Sequence, residues 1–104
     1  MKFKVVWSDF AVGQLDAIYE YYKRNASENV ALKIAQSIII SSEKLTSNPE
    51  IGQIEELLQN RKQEYRYLVT TNYKIIYSID KVNHRIKIAD VFDTRQNPIK
   101  IERS

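Results

Sequence analysis

Apolar and polar positions along the chain change their period once. The first half repeats at helical spacing, and the second half alternates every two residues. Ahead of the helical part, Lys2 to Val6 ("KFKVV") alternates and is rich in β-branched and aromatic types, which predicts a short strand. Ser8 suits a helix N-cap, with Asp9 in the first turn, where the helix dipole favours negative charge. Ala11, Leu15, Ile18 and Tyr22 then form one apolar stripe, predicting a helix from Asp9 to Lys23. Gly13 inside it costs roughly 1 kcal/mol relative to Ala, so a neighbour pressing close there, or compensating packing, is expected. "RNAS" interrupts the pattern, and Ser27 can cap a second helix. Its stripe is Val30 or Ala31, Ile34, Ile38 and Leu45, with Ala35 and Ile39 widening the buried face. "TSNP" stops it, because Pro49 disfavours helix at Asn48. A loop of about four residues between two such helices implies an antiparallel hairpin.

From Pro49 to Gln63 the signal is mixed: Gly52 suggests a turn, and "IEELLQNRK" fits a helical turn or a loop. After that the period is two. "EYRYLVT", "NYKIIYSID" and "HRIKIADVFD" are rich in Tyr, Ile and Val and are separated by turn signals at "TN" and "KVN". They predict three consecutive strands in an antiparallel meander. In the middle strand Tyr73, Ile75, Tyr77 and Ile79 share one face, suited to the helices, while Lys74, Ile76, Ser78 and Asp80 make a semi-polar, open one. The expected fold is α+β over a single domain, residues 1–104. An N-terminal strand and an antiparallel helical hairpin pack on a small antiparallel sheet in the order β-α-α-β-β-β.

Composition narrows the class further. With 43% hydrophobic and 28% charged residues the chain has a globular balance. It contains no cysteine, which excludes disulfides and thiolate metal sites. The apolar run "SIII" is far too short to span a bilayer, and the start "MKFKVVW" lacks signal-peptide features. A cytoplasmic protein without membrane partners is therefore expected. The net charge is +3, and all of the excess lies from Glu64 onward. That permits a polyanion or an acidic protein partner and demands neither. No Gly-rich phosphate loop, His/carboxylate metal cluster or nucleophile–base pair is visible, so neither cofactor nor metal is expected.

The segments "VVWSDFAVGQLDAIYEYY", "NPEIG", "YRYLVTTNYKIIYSI" and "IKIADVFDTRQNP" occur in an order and spacing that resembles the RelE/ParE superfamily of toxins from type II toxin–antitoxin systems. The resemblance spans about Lys2 to Pro98 and implies the fold derived above. It also implies a small cytoplasmic toxin neutralised by a cognate antitoxin in a hetero-oligomer. Members of the superfamily differ: some cleave mRNA on the ribosome, others poison DNA gyrase, and some are inert.

Metal-independent RNA cleavage needs a base for the 2′-hydroxyl, cations for the phosphorane and an acid for the leaving oxygen. RelE-like nucleases carry basic residues on the strands and a His or Tyr near the C-terminus. By resemblance, Arg66 stands in the place of the family's strand arginine, with Lys74 on the next strand and Arg95 just beyond the last. Together they are candidates for a phosphate- or target-binding rim; the competing reading is solubilising charge on an open sheet face. Where many members carry His, this chain has Asp93, a third catalytic candidate beside Arg66 and Arg95. Arg95 two residues on should hold it ionised, which makes it a poor proton donor. An Asx-turn closing the last strand explains Asp93 as well. His84 lies in the hairpin turn "KVNHR", remote from Asp93, and reads as a solvated turn residue. Tyr65 and Tyr67 flank Arg66 and face away from it, which predicts packing under the helices rather than base stacking.

With the acid missing, the leading expectation is a ParE-like toxin that inhibits its target by binding, with DNA gyrase the target to test. The alternatives are a RelE-like, ribosome-dependent mRNA interferase and an inactive homologue that survives as its antitoxin's partner.

Overall fold

The computed structural model describes residues 2–56 and 64–95. The chain runs β1 (Lys4–Trp7), α1 (Asp9–Asn25), α2 (Glu28–Glu43), β2 (Gln53–Ile54), β3 (Tyr65–Thr70), β4 (Tyr73–Asp80) and β5 (Arg85–Asp93), with a 3-10 turn at Lys44–Thr46. Both helices begin where a serine can cap them. The Ser8 and Ser27 hydroxyls accept from the amides of Ala11 and Val30 at 3.0 and 3.1 Å. Asp9 and Glu28 occupy the first turns, and Lys23 and Arg24 the last turn of α1, each matched to the helix dipole. Only Ala26 and Ser27 separate the helices, fewer residues than the sequence suggested, and the two rods form the expected hairpin.

The sheet has five strands in the order β1-β5-β4-β3-β2. The meander β3-β4-β5 is antiparallel as predicted, and β1 adds to β5 in parallel, a pairing that strand periodicity cannot announce. The segment after α2, ambiguous in sequence, contributes the two-residue strand β2 along β3. The part of "IEELLQNRK" from residue 57 onward lies outside the described residues.

One core lies between helices and sheet. Ala11, Ile38, Leu45, Ile75, Tyr77 and Ile88 are completely buried there, with Leu15, Ile18, Tyr22 and Ile34 packed against them. At about 25 cal/mol per Å² of apolar surface, this burial is what holds the hairpin to the sheet. Ala31, at 0% exposure, is the inward residue of the Val30/Ala31 pair. One expectation fails, and of the two alternatives for Gly13 the close neighbour is ruled out. Ile39, at 40% exposure, points outward, because the buried arc of α2 is narrow and centred on Ala31, Ile38 and Ser42. Nothing presses on Gly13, which faces open space.

A bulge in β5 decides how the far end of the sheet is built. Tyr77 pairs with Ile88 but Ile76 pairs with Asp90, which leaves Ala89 as an extra residue. Every side chain beyond it therefore changes face: Val91 and Asp93 point toward the helices, and Phe92 points away. The parallel ladder with β1 ends at this place, where the Ser8 amide donates to Ile88 O at 3.0 Å.

Candidate functional site

The loop after the helices is tied to the sheet by two residues. Tyr77, fully buried on β4, donates its hydroxyl proton to Pro49 O at 2.7 Å and accepts from the Gly52 amide at 3.0 Å. Burial pushes the Tyr77 hydroxyl above its ordinary pKa. Arg66 lies opposite Tyr77 in the β3–β4 register and so shares the helix-side face. Its Nη1 donates to Gly52 O at 2.9 Å and to Glu50 O at 3.3 Å, and its Nη2 pairs with Glu64 at 3.0 Å. A Cβ on Gly52 would lie 2.5 Å from the Tyr77 hydroxyl, so only glycine lets the loop sit this close.

The face away from the helices holds Lys74. Its ammonium is 2.6 Å from Glu55 Oε1 and 4.0 Å from the centroid of the Tyr67 ring. The Glu55 side chain is 5% exposed and that of Lys74 20%. The Tyr67 hydroxyl donates to Gln53 Oε1 at 2.9 Å, and Tyr65, Tyr67 and Ala89 pack around buried Ile76 and Phe92. This face is thus less open than alternation alone implies. Tyr65 and Tyr67 build it rather than packing under the helices, because the strand register puts Arg66 on the helix side.

Asp93 and Arg95 stand at the end of β5, on the helix side. The Arg95 amide donates to Asp93 Oδ1 at 2.9 Å, which is the expected Asx-turn. The guanidinium grips the same carboxylate through Nε and Nη2. That hydrogen bond holds the Asp93 carboxyl below its usual range and raises Arg95 in turn. Behind the pair, Tyr73 donates to the Tyr22 hydroxyl at 3.1 Å, and burial together with this contact raises Tyr73 well above the ordinary tyrosine value. A groove of about 560 Å³ opens here between α1 and β5. His84 sits at the other end of β5, half-buried and stacked on Phe3 with ring centroids 5.2 Å apart.

Arg66, Lys74 and Arg95 do not meet in one rim. Lys74 faces away from the helices; Arg66 and Arg95 face toward them, at different strands and different ends of the meander. Each also has a carboxylate partner: Glu64, Glu55 and Asp93 respectively. Sequence reasoning missed Glu55 and Tyr77. The first lies in the ambiguous segment, and its only cue was an acid beside a forming turn. Tyr77 was placed correctly in the core, but nothing in the alternation marks its hydroxyl as a loop anchor. Among the described residues no group of His, Cys, Asp or Glu is arranged to hold a metal, and no helix is long and apolar enough to cross a membrane.

Residues 5–98 match the family model described as the ParE toxin of the type II toxin–antitoxin system parDE. The chain belongs to the ParE toxin family. No curated protein matches it. Among solved structures, the chromosomal ParDE system of P. aeruginosa is similar with a TM-score of 0.72 and 20% identity, covering 90% of this chain and 98% of that one. The RelBE2 toxin–antitoxin complex of Mycobacterium tuberculosis follows at 0.65 and 15%, covering 89% and 92%. The isolated RelE toxin of E. coli gives 0.55 and 10%, covering 97% and 94%. At these identities the neighbours share the fold, and the family match makes this a ParE-type toxin of a type II system. In this ParE fold Arg66, Lys74 and Arg95 are thus each paired with a carboxylate.

Proposed function

We propose that this ParE toxin acts by docking on a protein target, DNA gyrase, in the cytoplasm, and that a cognate antitoxin silences it by covering it in a hetero-oligomer. The observation that carries the reading is the pairing of every candidate cation with a carboxylate. A surface built to hold RNA phosphates needs cations free to release counterions and to meet the phosphorane. Here Asp93 is held ionised, which removes it as a proton donor at neutral pH. Arg95 and Lys74, at the same end of the sheet on opposite faces, are the proposed target contacts; Arg66 acts through the loop that it holds.

The antitoxin reading is supported by apolar surface left over by the fold. Ile40, Val69 and Ile54 are 62%, 57% and 46% exposed. Because β2 pairs only with Arg66 and Tyr67, the outer edge of β3 from Leu68 to Thr70 is uncovered among the described residues. An added strand or an amphipathic helix from a partner fits such a border. The M. tuberculosis neighbour is itself a toxin–antitoxin complex.

One observation favours a second reading, the RelE-like mRNA interferase. Glu55 against Lys74 is a carboxylate beside a cation with an aromatic ring at hand, a set from which a base, a phosphorane contact and a stacking surface could be drawn. Expression under tight control separates the two. Growth arrest with intact mRNA supports the binder; rapid cleavage at codon positions supports the nuclease. Absence of any arrest leaves the inert homologue.

A further inference from the structure

The face of the sheet turned away from the helices carries a second group of cations, at its β1–β5 end. Val5 and Ile86 pack into the helix-side core, so alternation turns Lys4, Arg85 and Lys87 to the other side. Lys4 lies directly opposite Arg85 in the parallel register, and Lys87 follows on the same strand, opposite Val6. Neighbouring strands lie about 4.8 Å apart and residues two apart on a strand about 6.6 Å, so three charged stems rise from one small flat patch. All three residues are exposed. Exposed Lys2 precedes β1, and Lys81 in the β4–β5 turn, 74% exposed and loosely paired with Glu50 at 3.5 Å, stands at the same end. Unlike Arg66, Lys74 and Arg95, neither Lys4 nor Arg85 has an ion pair among the described residues. Lys87 has only Asp80, at 4.0 Å. That carboxylate is committed to the hairpin turn: Oδ1 accepts from the Asn83 amide at 3.1 Å and Oδ2 from its side-chain nitrogen at 2.9 Å. The apolar side chain between the cations is Val6, 38% exposed, which offers a protein partner no anchoring pocket. Open cations on a flat surface suit a polyanion instead. The patch can hold phosphates but is not equipped to cut them. Asp80 is engaged, and His84 stacks on Phe3, which packs into the helix-side core.

We propose that Lys4, Arg85 and Lys87 bind the phosphate backbone of duplex DNA without regard to sequence, and that Lys2 and Lys81 extend the contact. The choice of DNA among polyanions rests on the gyrase reading, since that enzyme works on a duplex. The surface itself is independent of Arg66, Lys74 and Arg95, and the chemistry is that of charge neutralisation alone: each phosphate met releases counterions, and no base edge is read.

The test is the salt dependence of binding between the full chain and a fluorescent 20-base-pair DNA duplex, followed by anisotropy without gyrase. Three to five phosphate contacts give a slope of log affinity against log salt of about −2.7 to −4.5. Raising salt fourfold, from about 25 to about 100 mM, should therefore weaken binding on the order of a hundredfold. The double variant Lys4→Gln/Arg85→Gln should make the slope shallower by about 1.8, two contacts' worth. Lys33→Gln/Lys44→Gln removes the same charge from α2, on the opposite side of the molecule, and should leave the slope unchanged. Far-UV circular dichroism checks that both variants fold. A parent slope shallower than about −1, or equal losses in the two double variants, would overturn the proposal. So would tighter binding to vesicles containing phosphatidylserine, which marks a membrane surface, or to an RNA duplex of the same sequence. Gyrase inhibition is measured separately. A toxin that inhibits gyrase but ignores the bare duplex sinks this inference alone, while duplex binding without gyrase inhibition sinks the target and leaves the patch.

Discussion

Removing Arg66 tells a structural tie from a target contact. The Arg66 side chain is 16% exposed, and Arg66→Ala strands the carbonyls of Gly52 and Glu50 that Nη1 now satisfies. A hydrogen bond from a charged donor contributes about 1.5–3 kcal/mol. The pair with Glu64 adds less than about 1 kcal/mol, because Glu64 is 56% exposed and water competes for it. The net loss should be about 2–3 kcal/mol, which for a domain of this size lowers Tm by on the order of 10 °C. Arg66→Lys keeps the charge but cannot reach both carbonyls and Glu64 at once, so it should fall between alanine and the parent. Urea unfolding followed by far-UV circular dichroism reads the difference directly. If Arg66→Ala unfolds within about 0.5 kcal/mol of the parent, a shift typical of neutral surface changes, the guanidinium is not a tie and is free for a target.

Other consequences are as specific. Gly52→Ala puts a methyl 2.5 Å from the Tyr77 hydroxyl and 2.6 Å from Tyr67 O; overpacking of this kind costs about 1–3 kcal/mol, visible as a lower urea midpoint, and an unchanged midpoint would show that the loop does not lie against Tyr77. Lys74→Met leaves the 5%-exposed Glu55 without its cation and should cost about 3 kcal/mol, whereas Glu55→Gln leaves a 20%-exposed ammonium that can turn to water and should cost about 1 kcal/mol. Equal costs in urea unfolding would contradict this asymmetry. Asp93 has its carboxyl held down by Arg95, so the pair stabilises the fold above the ordinary carboxylate value of 3.8 and loses that contribution only as pH falls through the lower folded value. Side-chain carboxyl resonances of Asp93 should therefore titrate below 3.8, and a midpoint at or above it would mean that the fork is not made in solution.

The elements were legible because their causes are local. Ser8 and Ser27 cap, Pro49 stops and "TN" turns, and each does so through its own backbone chemistry. The site was less legible because it depends on register. A regular strand would carry Asp93 and Arg95 to the same face as Lys74; the extra residue Ala89 sends them to the opposite one, and nothing in "HRIKIADVFD" announces the bulge. The faces of Arg66, Tyr65 and Tyr67 follow from which residue of β4 lies opposite each, a pairing that periodicity leaves undetermined. Glu55 escaped notice for a related reason, since its meaning comes from a lysine 19 positions later across two strands. Ile39 was misjudged because the width of a buried helical arc is set by the opposing sheet, not by the helix's own stripe.

The proposed toxin inhibits by docking on a protein rather than by cutting RNA. Purified gyrase, relaxed plasmid and ATP, titrated with the purified toxin in the absence of ribosomes, test it most directly. Supercoiling should fall as toxin approaches the enzyme's concentration, and Arg95→Gln should weaken the effect. Full supercoiling at a large excess of folded toxin, from a preparation that cleaves mRNA on translating ribosomes, would contradict it.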